Sequence, residues 1–412
     1  MKKDIERLIK DHNIDALWIS GAAQHNPSMV YFTGTIHVTA ADLFIIPGKT
    51  PILFHGMMER EEAAKTGYDL ISYTRYSMLD YLKQTDGNML QANALRYKQM
   101  FEDIGLTKGN VLLYGNREIG PFYALVRELE DLLPGIRFKG DYDDAIVLEA
   151  RATKDKLEIE EIRKMGHITT GVVARVQNFL SSHKVVDETL VKDDGNPLTI
   201  GDVKSLIDLW LAEAGAENPQ STIFAIGRDG GLPHSSGTPA DPIQLGKSIV
   251  FDIFPCQQGG GYYYDFTRTW CLGYAPEEIQ QAYDQVKEVY EKIADELTVG
   301  VLASKYQDLT CELFEEIGHE TIRQNQAAEE GYIHSVGHGL GLNVHEKPWL
   351  GRTSDPENLF RIGSVFTIEP GLYYPSKHFG VRLEDTWYVN ENGQFEKFVD
   401  YPMELVVPMK GG

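Results

Sequence analysis

The segment from His334 to Glu346 places three histidines among three glycines, and this mixture constrains its fold more than any other part of the sequence. Each glycine costs about 1 kcal/mol in a helix interior relative to alanine, so a long helix is disfavoured here. Glycine also lets the backbone pass close to a bound group, because it has no side chain. Four carboxylates lie in strand-like settings around this segment, and together with the histidines they predict a metal site.

Two of the carboxylates lie on predicted strands that a glycine-rich loop joins. Residues 248–255 are apolar around Asp252, and residues 261–270 carry Asp265. A hairpin folded symmetrically about residues 258–259 sets the two acids opposite each other, with Cβ atoms roughly 5 Å apart. Buried carboxylates without partners are costly, and two this close repel each other unless a cation lies between them. The pair therefore predicts a cation.

The other two carboxylates repeat this arrangement. Glu369 ends one apolar predicted strand and Glu384 lies in the next, so a fold about residues 376–377 sets them opposite each other. Arg382 shares the face of Glu384, whereas Asp385 points to the other face. Four carboxylates and an imidazole suit hard or borderline divalent metals. A carboxylate can also bridge two ions held about 3.5–4 Å apart.

These motifs resemble those of the proline-specific metallopeptidases with the pita-bread fold, the family of prolidase and aminopeptidase P. The resemblance covers most of the chain and is most specific in residues 265–269, 334–346, 367–371 and 380–385. It implies an α/β (α+β) protein that has a small N-terminal creatinase-like α/β domain and a C-terminal pita-bread metallopeptidase domain.

The resemblance implies two divalent metal ions and five protein ligands, which are Asp252, Asp265, His338, Glu369 and Glu384. Asp265 and Glu384 would bridge the two ions. Asp252 would complete one site, while His338 and Glu369 would complete the other. A hydroxide between the ions would be the nucleophile. Ligand chemistry favours Mn, with Co or Zn as alternatives.

The resemblance also implies roles for residues around the metals. Glu369 matches the family's proton shuttle, and His345 would hold the scissile carbonyl and its tetrahedral intermediate. His234 and His334 match the other active-site histidines of the family. Arg382 would help to bind the substrate carboxylate or would organise the site.

Several functions remain open at this point. The first is hydrolysis at Xaa-Pro bonds, by either an Xaa-Pro dipeptidase or an aminopeptidase P. A second is another C–N hydrolase of the same scaffold that acts on a small metabolite. A third is a metal-free binding protein, which the complete ligand set disfavours. The sequence contains no HExxH helix, which excludes a zincin-type site as the source of activity, and it contains no GxSxG elbow either.

Length and charge set broader limits. A chain of 412 residues is long for one core, so we expect two domains, over residues 1–150 and 151–412. The 39 basic residues against 61 acidic ones give a net charge of −22, which disfavours nucleic-acid binding. The expected partner is a small proline-containing peptide, and the resemblance implies a homodimer.

The three cysteines are expected to be free thiols in a reducing compartment. No apolar run approaches the roughly 18 residues of a membrane-spanning helix, so no membrane partner is expected. The N-terminal residues lack the apolar segment of a signal peptide. A cytoplasmic enzyme is therefore the expectation.

Hydrophobic periodicity and turn residues predict individual elements. Strands are expected over residues 15–20, 42–54 (with a central turn) and 110–114, and helices over 122–133, 155–180 and 276–297. Residues 183–198 are polar and are expected to form a surface loop. The histidines outside the predicted site, such as His12, His183 and His319, are expected to be solvated.

Overall fold

A computed structural model describes residues 4–351, 353 and 355–410, which form two compact units. Unit 1 comprises Met1–Arg151 together with Gly259–Gly261, and unit 2 comprises Ala152–Gln258 and Tyr262–Gly412. Residues 1–3, which entered the prediction about a signal peptide, lie outside the described residues. Within the described ranges, no helix has both the length and the apolar character that crossing a bilayer requires.

Unit 1 is an α/β unit built on a mixed sheet with the strand order β4-β3-β2-β1-β5-β6. In chain order its elements are α1 (Ile5–Asp11), β1 (Ala16–Gly21), α2 (Pro27–Thr33), β2 (Ala41–Ile45), β3 (Ile52–His55), α3 (Arg60–Ala64), β4 (Asp69–Ser72), α4 (Met78–Gln84), α5 (Met89–Asp103), β5 (Gly109–Asn116), α6 (Ile119–Leu132), β6 (Ile136–Lys139) and α7 (Ala145–Arg151).

The sequence-based predictions for this unit are confirmed with small shifts at the ends. The predicted strands correspond to β1, β2, β3 and β5, and the predicted helix over 122–133 corresponds to α6. Trp18 lies at the centre of the core, stacked on Phe44 and in edge contact with Phe101. Its indole N–H donates to the buried Asp42 at 2.7 Å, so the ring can be fully buried without an unsatisfied donor.

Unit 2 combines several short sheets with four α-helices among its described residues. In chain order its elements are α8 (Lys156–Ser181), β7 (Lys184–Val186), β8 (Thr189–Val191), α9 (Ile200–Glu213), β9 (Ala216–Glu217), β10 (Ile223–Ile226), β11 (Ser248–Ile253), β12 (Cys256–Gln257), β13 (Phe266–Leu272), α10 (Glu277–Glu296), α11 (Lys305–Glu316), β14 (His338–Gly339), β15 (Glu346–Trp349), β16 (Val365–Ile368), β17 (Gly371–Tyr374), β18 (Phe379–Arg382), β19 (Asp385–Val389), β20 (Phe395–Lys397) and β21 (Val406–Val407). The two larger sheets have the orders β10-β11-β13-β21 and β15-β14-β16-β19-β20.

The two amphipathic helices predicted in this unit are confirmed as α8 and α10. Helix α8 begins at a capping box, in which the Asp155 side chain accepts from the Glu158 backbone and the Glu158 side chain accepts from the Asp155 backbone. Helix α8 packs its apolar face into one core of unit 2, and α10 packs into a second core. The hydrophobic period of the sequence therefore correctly identified the long helices.

The predicted surface loop over 183–198 was wrong over residues 184–191, where β7 and β8 form a hairpin. Asp187 and Glu188 at its tip have φ values of 46° and 61°, which a two-residue type I′ turn requires. Leu190 on β8 is fully buried in the core. The turn lacks glycine and the strands are only three residues long, so the sequence carried little hairpin signal.

Two predictions about isolated residues had different outcomes. Cys256, Cys271 and Cys311 are free and buried, as expected. His319 is not solvated, because its ring is half-buried and its two nitrogens contact the Tyr374 hydroxyl and the Gln285 side-chain oxygen. Burial lowers the pKa of His319 below its usual value.

Candidate metal centre

The hairpin that carries the first two carboxylates is shifted from the predicted register. Asp252 on β11 pairs with Thr267 on β13, and Ile253 pairs with Phe266, so Asp265 lies two residues beyond the predicted position. The prediction of directly opposed acids was therefore wrong. The shift of two residues keeps Asp252 and Asp265 on the same face, because side chains alternate along a strand. The two carboxylates remain close enough for the charge of Asp252 to raise the pKa of Asp265.

The second hairpin has the predicted register. Gly371 pairs with Arg382 across β17 and β18, which confirms the fold about residues 376–377. The pairing is interrupted between Ile368 and Gly371, and on the other side of this break Ile368 pairs with Asp385 across β16 and β19. These two pairs place Glu369 and Glu384 across from each other, at the point where one ladder ends and the next begins.

His338 brings an imidazole to the same place from β14. Its Nδ1 lies 3.1 Å from the carbonyl oxygen of Gly339, and a carbonyl only accepts, so Nδ1 carries the proton. Nε2 is then the free nitrogen, and it lies 3.5 Å from both Asp265 Oδ2 and Glu369 Oε1. A carbonyl that fixes the tautomer in this way is typical of metal-binding histidines.

Three carboxylates at this site each have one buried oxygen without a hydrogen-bond partner among the described residues. Asp252 Oδ1, Asp265 Oδ1 and Glu384 Oε1 are buried and accept no hydrogen bond from the described residues. Ligand atoms of Asp265, His338 and Glu384 all lie within 4.8 Å of one another. Buried acceptors that converge on one point without a donor fit a divalent cation, because a cation removes the cost of their desolvation and mutual repulsion.

The pKa values of the acids reflect the same crowding. Burial, followed by the Asp252 and Glu369 charges, raises the pKa of Asp265 well above its usual range. Burial, followed by the Asp265 charge, does the same for the pKa of Glu384. The pKa of Glu369 is also raised, mainly by burial. Protein groups alone therefore do not stabilise all these carboxylates in their charged forms.

The site opens into a cavity of about 750 Å³ within unit 2. Every residue predicted for the site lines this cavity, namely His234, Asp252, Asp265, His334, His338, His345, Glu369, Arg382 and Glu384. The rest of the wall is partly apolar and includes Phe254, Val344 and Trp349. A concave, partly apolar cavity with converging polar groups is typical of small-ligand sites.

The three further histidines differ in how they are held. The ring of His345 packs against the ring of His338, with centroids 4.2 Å apart, and partial burial lowers the pKa of His345 to about 4. His334 is held at both nitrogens, because Nδ1 lies 2.6 Å from the Ser335 carbonyl and Nε2 lies 3.0 Å from the Tyr373 hydroxyl. Burial lowers the pKa of His334 to about 3. His234 is exposed in the cavity wall.

The Arg382 guanidinium is bonded to other side chains of the protein. Its guanidinium is buried, pairs with the Asp252 carboxylate, and donates to the Tyr373 hydroxyl at 2.9 Å. Tyr373 in turn contacts His334, so one chain of hydrogen bonds joins Asp252 to His334. The sequence patterns did not include Tyr373, which lies on β17 beside the predicted ligand strand.

A buried network behind the site fixes the backbone of Glu384. Arg268 and Asp385 are fully buried and paired at 2.8 Å, and Arg268 also donates to the Glu384 carbonyl at 2.8 Å. Thr267, fully buried in the same strand, donates to the Glu384 carboxylate at 2.7 Å. Asp385 does not line the cavity, which agrees with its predicted orientation away from Glu384. Thr267 and Arg268 belong to the quoted 265–269 motif, but their roles required the fold.

The glycines of the histidine segment permit close contacts with the protein itself. A Cβ at Gly337 would lie 2.1 Å from the Thr367 carbonyl oxygen, and one at Gly341 would lie 2.0 Å from Glu346 Oε1. The prediction that these glycines permit a close approach was thus correct, but the atoms that come close belong to the protein itself. The buried Glu346 carboxylate is paired with Lys154 at 2.7 Å, a contact across 192 positions that the sequence did not reveal.

Residues 160–391, more than half of the chain, match the model of Metallopeptidase family M24. The chain belongs to this family. The predicted class of enzyme, a metallopeptidase that requires divalent metal ions, is thereby confirmed.

The M24 chain is 26% identical over 400 residues to the Xaa-Pro dipeptidase of Pyrococcus furiosus, which covers 95% of this chain and 97% of the relative. It is 24% identical over 415 residues to the Xaa-Pro dipeptidase of Lactobacillus delbrueckii subsp. lactis, which covers 98% of each. The solved structure of the X-Pro aminopeptidase from Thermotoga maritima has a TM-score of 0.75, with 24% identity over 98% of this chain and 99% of that one. These likenesses confirm the predicted fold class, an N-terminal α/β unit with a pita-bread unit.

Proposed function

We propose that this protein hydrolyses the peptide bond before proline in short peptides, as an Xaa-Pro dipeptidase. Metal-dependent hydrolysis is supported most directly by Asp252, Asp265 and Glu384, which line one cavity and each have a buried oxygen that accepts no hydrogen bond from the described residues. The likeness to two Xaa-Pro dipeptidases along almost the whole chain supports proline as the specificity.

The proposed ligands are Asp252, Asp265, His338, Glu369 and Glu384. When two divalent ions are bound there, they lower the pKa of a water molecule and polarise the substrate carbonyl. All five groups are ordinary ligands of such ions, and all five belong to unit 2.

The remaining residues are proposed to handle protons and orientation. Glu369 has a raised pKa and lies on the cavity wall, so it can accept a proton there and pass it to the leaving nitrogen. His345 is neutral near neutral pH and therefore has one N–H to donate to the charge that develops on the carbonyl oxygen. His234 is exposed in the same wall and is proposed to contact the substrate.

Arg382 and His334 are proposed to organise the site and not to contact the substrate. Arg382 pairs with Asp252 and contacts Tyr373, which leaves little of its guanidinium for a substrate carboxylate. His334 accepts from Tyr373 at one nitrogen and donates to the Ser335 carbonyl at the other. Both side chains thus hold the Asp252 carboxylate in place.

The proposal is tested by removing metal with a chelator, restoring Mn, and measuring hydrolysis of Ala-Pro. We expect activity that requires the metal and that Asp265→Asn abolishes. Asp295→Asn on α10 is the matched control, because Asp295 is exposed and lies away from the cavity. Metal binding without hydrolysis of any Xaa-Pro peptide would instead favour another C–N hydrolase that acts on a small metabolite.

Comparison of Ala-Pro with Ala-Pro-Ala separates the two proline peptidases. Cleavage of the dipeptide alone supports the dipeptidase, whereas a preference for the tripeptide supports an aminopeptidase P, the activity named for the Thermotoga maritima structure. The side-chain types favour Mn over Zn, because four carboxylates and one imidazole offer no thiolate. Activity after reconstitution with Mn, Co or Zn in turn tests that choice.

We further propose that the protein acts as a homodimer in the cytoplasm. Three buried, free cysteines support a reducing compartment. Light scattering tests the dimer, since a monomeric mass for the active enzyme would contradict it, and fractionation of the source cells tests the location.

A further inference from the structure

Unit 1 contains a cavity of its own, of about 550 Å³, at the edge of its sheet where β1 and β5 end. Gly21 pairs with Asn116 at that edge, and Arg117, the next residue, lines the cavity. Helix α5 contributes Arg96 to the wall, and the start of α6 contributes apolar side chains. Ligands of open α/β sheets commonly bind beyond the carboxyl ends of the strands.

Two arginines line this cavity, and neither forms an ion pair with an acid among the described residues. Arg96 makes neither a hydrogen bond nor an ion pair with the described residues, and its buried Nε has no acceptor. Its guanidinium lies over the Tyr73 ring, 4.6 Å from the centroid. Arg117 is exposed, and its guanidinium lies 5.9 Å from the centroid of the Phe122 ring. A buried N–H without an acceptor is costly, so an acceptor is missing here.

Other arginines of unit 1 show that the chain can pair its cations. Arg7, Arg75 and Arg127 each form an ion pair with an acid of the same unit. Among the residues that the structure describes, no carboxylate lines this cavity, although the chain has a net charge of −22.

Asp42, which bonds to Tyr73 and Tyr97 of the cavity wall, is already satisfied by other donors. Asp42 is fully buried and accepts hydrogen bonds from Trp18, Ser20, Tyr73 and Tyr97 at 2.5–2.8 Å. Asp42 carries one negative charge, whereas Arg96 and Arg117 together carry two positive charges. Burial and the charge of Asp42 raise the pKa of Tyr97, and the charges of Arg117 and Arg96 oppose that rise.

We propose that this cavity binds a small organic anion. Its carboxylate or phosphate group would lie between Arg96 and Arg117, whose planar guanidinium groups suit the paired oxygens of such groups. Its apolar or aromatic part would pack against the Tyr73 ring and the apolar side chains of Leu90 and Leu125, which line the same cavity. The size of the cavity is ordinary for a small-molecule site.

Calorimetric titration of the metal-loaded full chain tests this proposal. The probes are phenyl phosphate and phenylacetate, which share a ring and differ in the anionic group, with phenol as the uncharged control. We expect binding of at least one anion, weakened by salt, and no binding of phenol. Arg96→Gln or Arg117→Gln should weaken binding about 10- to 100-fold, the range for loss of one charge-assisted hydrogen bond.

Arg137→Gln is the matched control, because Arg137 is an exposed arginine on β6 of the same unit and does not line the cavity. Anions that bind the metal centre contribute equally in all variants, so only the component lost in the Arg96 and Arg117 variants belongs to this cavity. Preference for one probe identifies the anionic group. The proposal is overturned if neither anion binds at millimolar concentration, or if binding is unchanged in both variants.

Discussion

The buried ion pair between Lys154 and Glu346 gives a quantitative test of what holds the histidine segment in place. Both side chains are only 1% exposed, and the Nζ–Oε1 distance is 2.7 Å. Glu346 directly follows His345, and Lys154 precedes α8, where its backbone N–H donates to the Gly363 carbonyl at 2.7 Å. The pair therefore links the start of the long helix to the segment that carries three of the predicted site histidines, His334, His338 and His345.

Lys154→Met removes the ammonium while leaving the Glu346 carboxylate in a dry environment. Removal of one partner from a buried pair costs about 3–5 kcal/mol in the free energy of unfolding, because the remaining charge loses its counter-ion. Replacement of both partners by apolar side chains is often neutral. The double variant Lys154→Met, Glu346→Leu should thus be more stable than Lys154→Met alone.

The assay is urea-induced unfolding of the metal-loaded protein, followed by tryptophan fluorescence and circular dichroism. Four of the five tryptophans belong to unit 2, so fluorescence mainly follows the unit that contains the pair. The matched control is Lys164→Met, because Lys164 pairs with Glu161 on the exposed surface of α8 and such pairs contribute about 0–1 kcal/mol. A Lys154→Met cost no greater than that of Lys164→Met would refute the reasoning.

Three further predictions concern other parts of the protein. Gly341→Ala should destabilise the protein, because its Cβ would lie 2.0 Å from Glu346 Oε1. Gly171→Ala on α8 is the control: the space around its exposed Cβ position is open, so this change should be neutral or should stabilise the protein by up to about 1 kcal/mol. Thermal melts of the two variants measure the difference. The pKa of His319 is lowered in the folded state, so the unfolded state binds the proton more readily and the free energy of unfolding should fall as pH drops below about 6.5. In urea titrations at several pH values, His319→Asn should show a smaller fall in this free energy. Equal slopes of stability against pH in the two proteins would contradict this prediction. Mn at 100 times its dissociation constant should stabilise the chelator-stripped protein by about 2.7 kcal/mol for each site that it fills. Asp265→Asn should lose most of this gain in a thermal-shift measurement, so an undiminished gain would exclude Asp265 as a ligand.

The sequence determined which kinds of side chain could form the site. A carboxylate inside an apolar strand is informative because its burial requires a partner, and this was visible at Asp252 and Glu369 before any fold was known. The hairpin about residues 376–377 was also predictable, since the two flanking strands are equidistant from the turn and their register has no bulge. Long helices such as α8 and α10 followed from their hydrophobic period.

The tertiary structure decided the register and the supporting contacts. Between β11 and β13 the chain leaves the ladder to pair β12 with β9, so symmetry about the loop centre could not predict the pairing of Asp252 with Thr267. Lys154 and Glu346 meet although 192 positions separate them, and neither carries a local signal of that contact. Local patterns record what a residue needs, such as a cation for a buried acid. Which distant residue meets that need depends on how the strands and helices pack, and a single sequence does not contain that information in any local window.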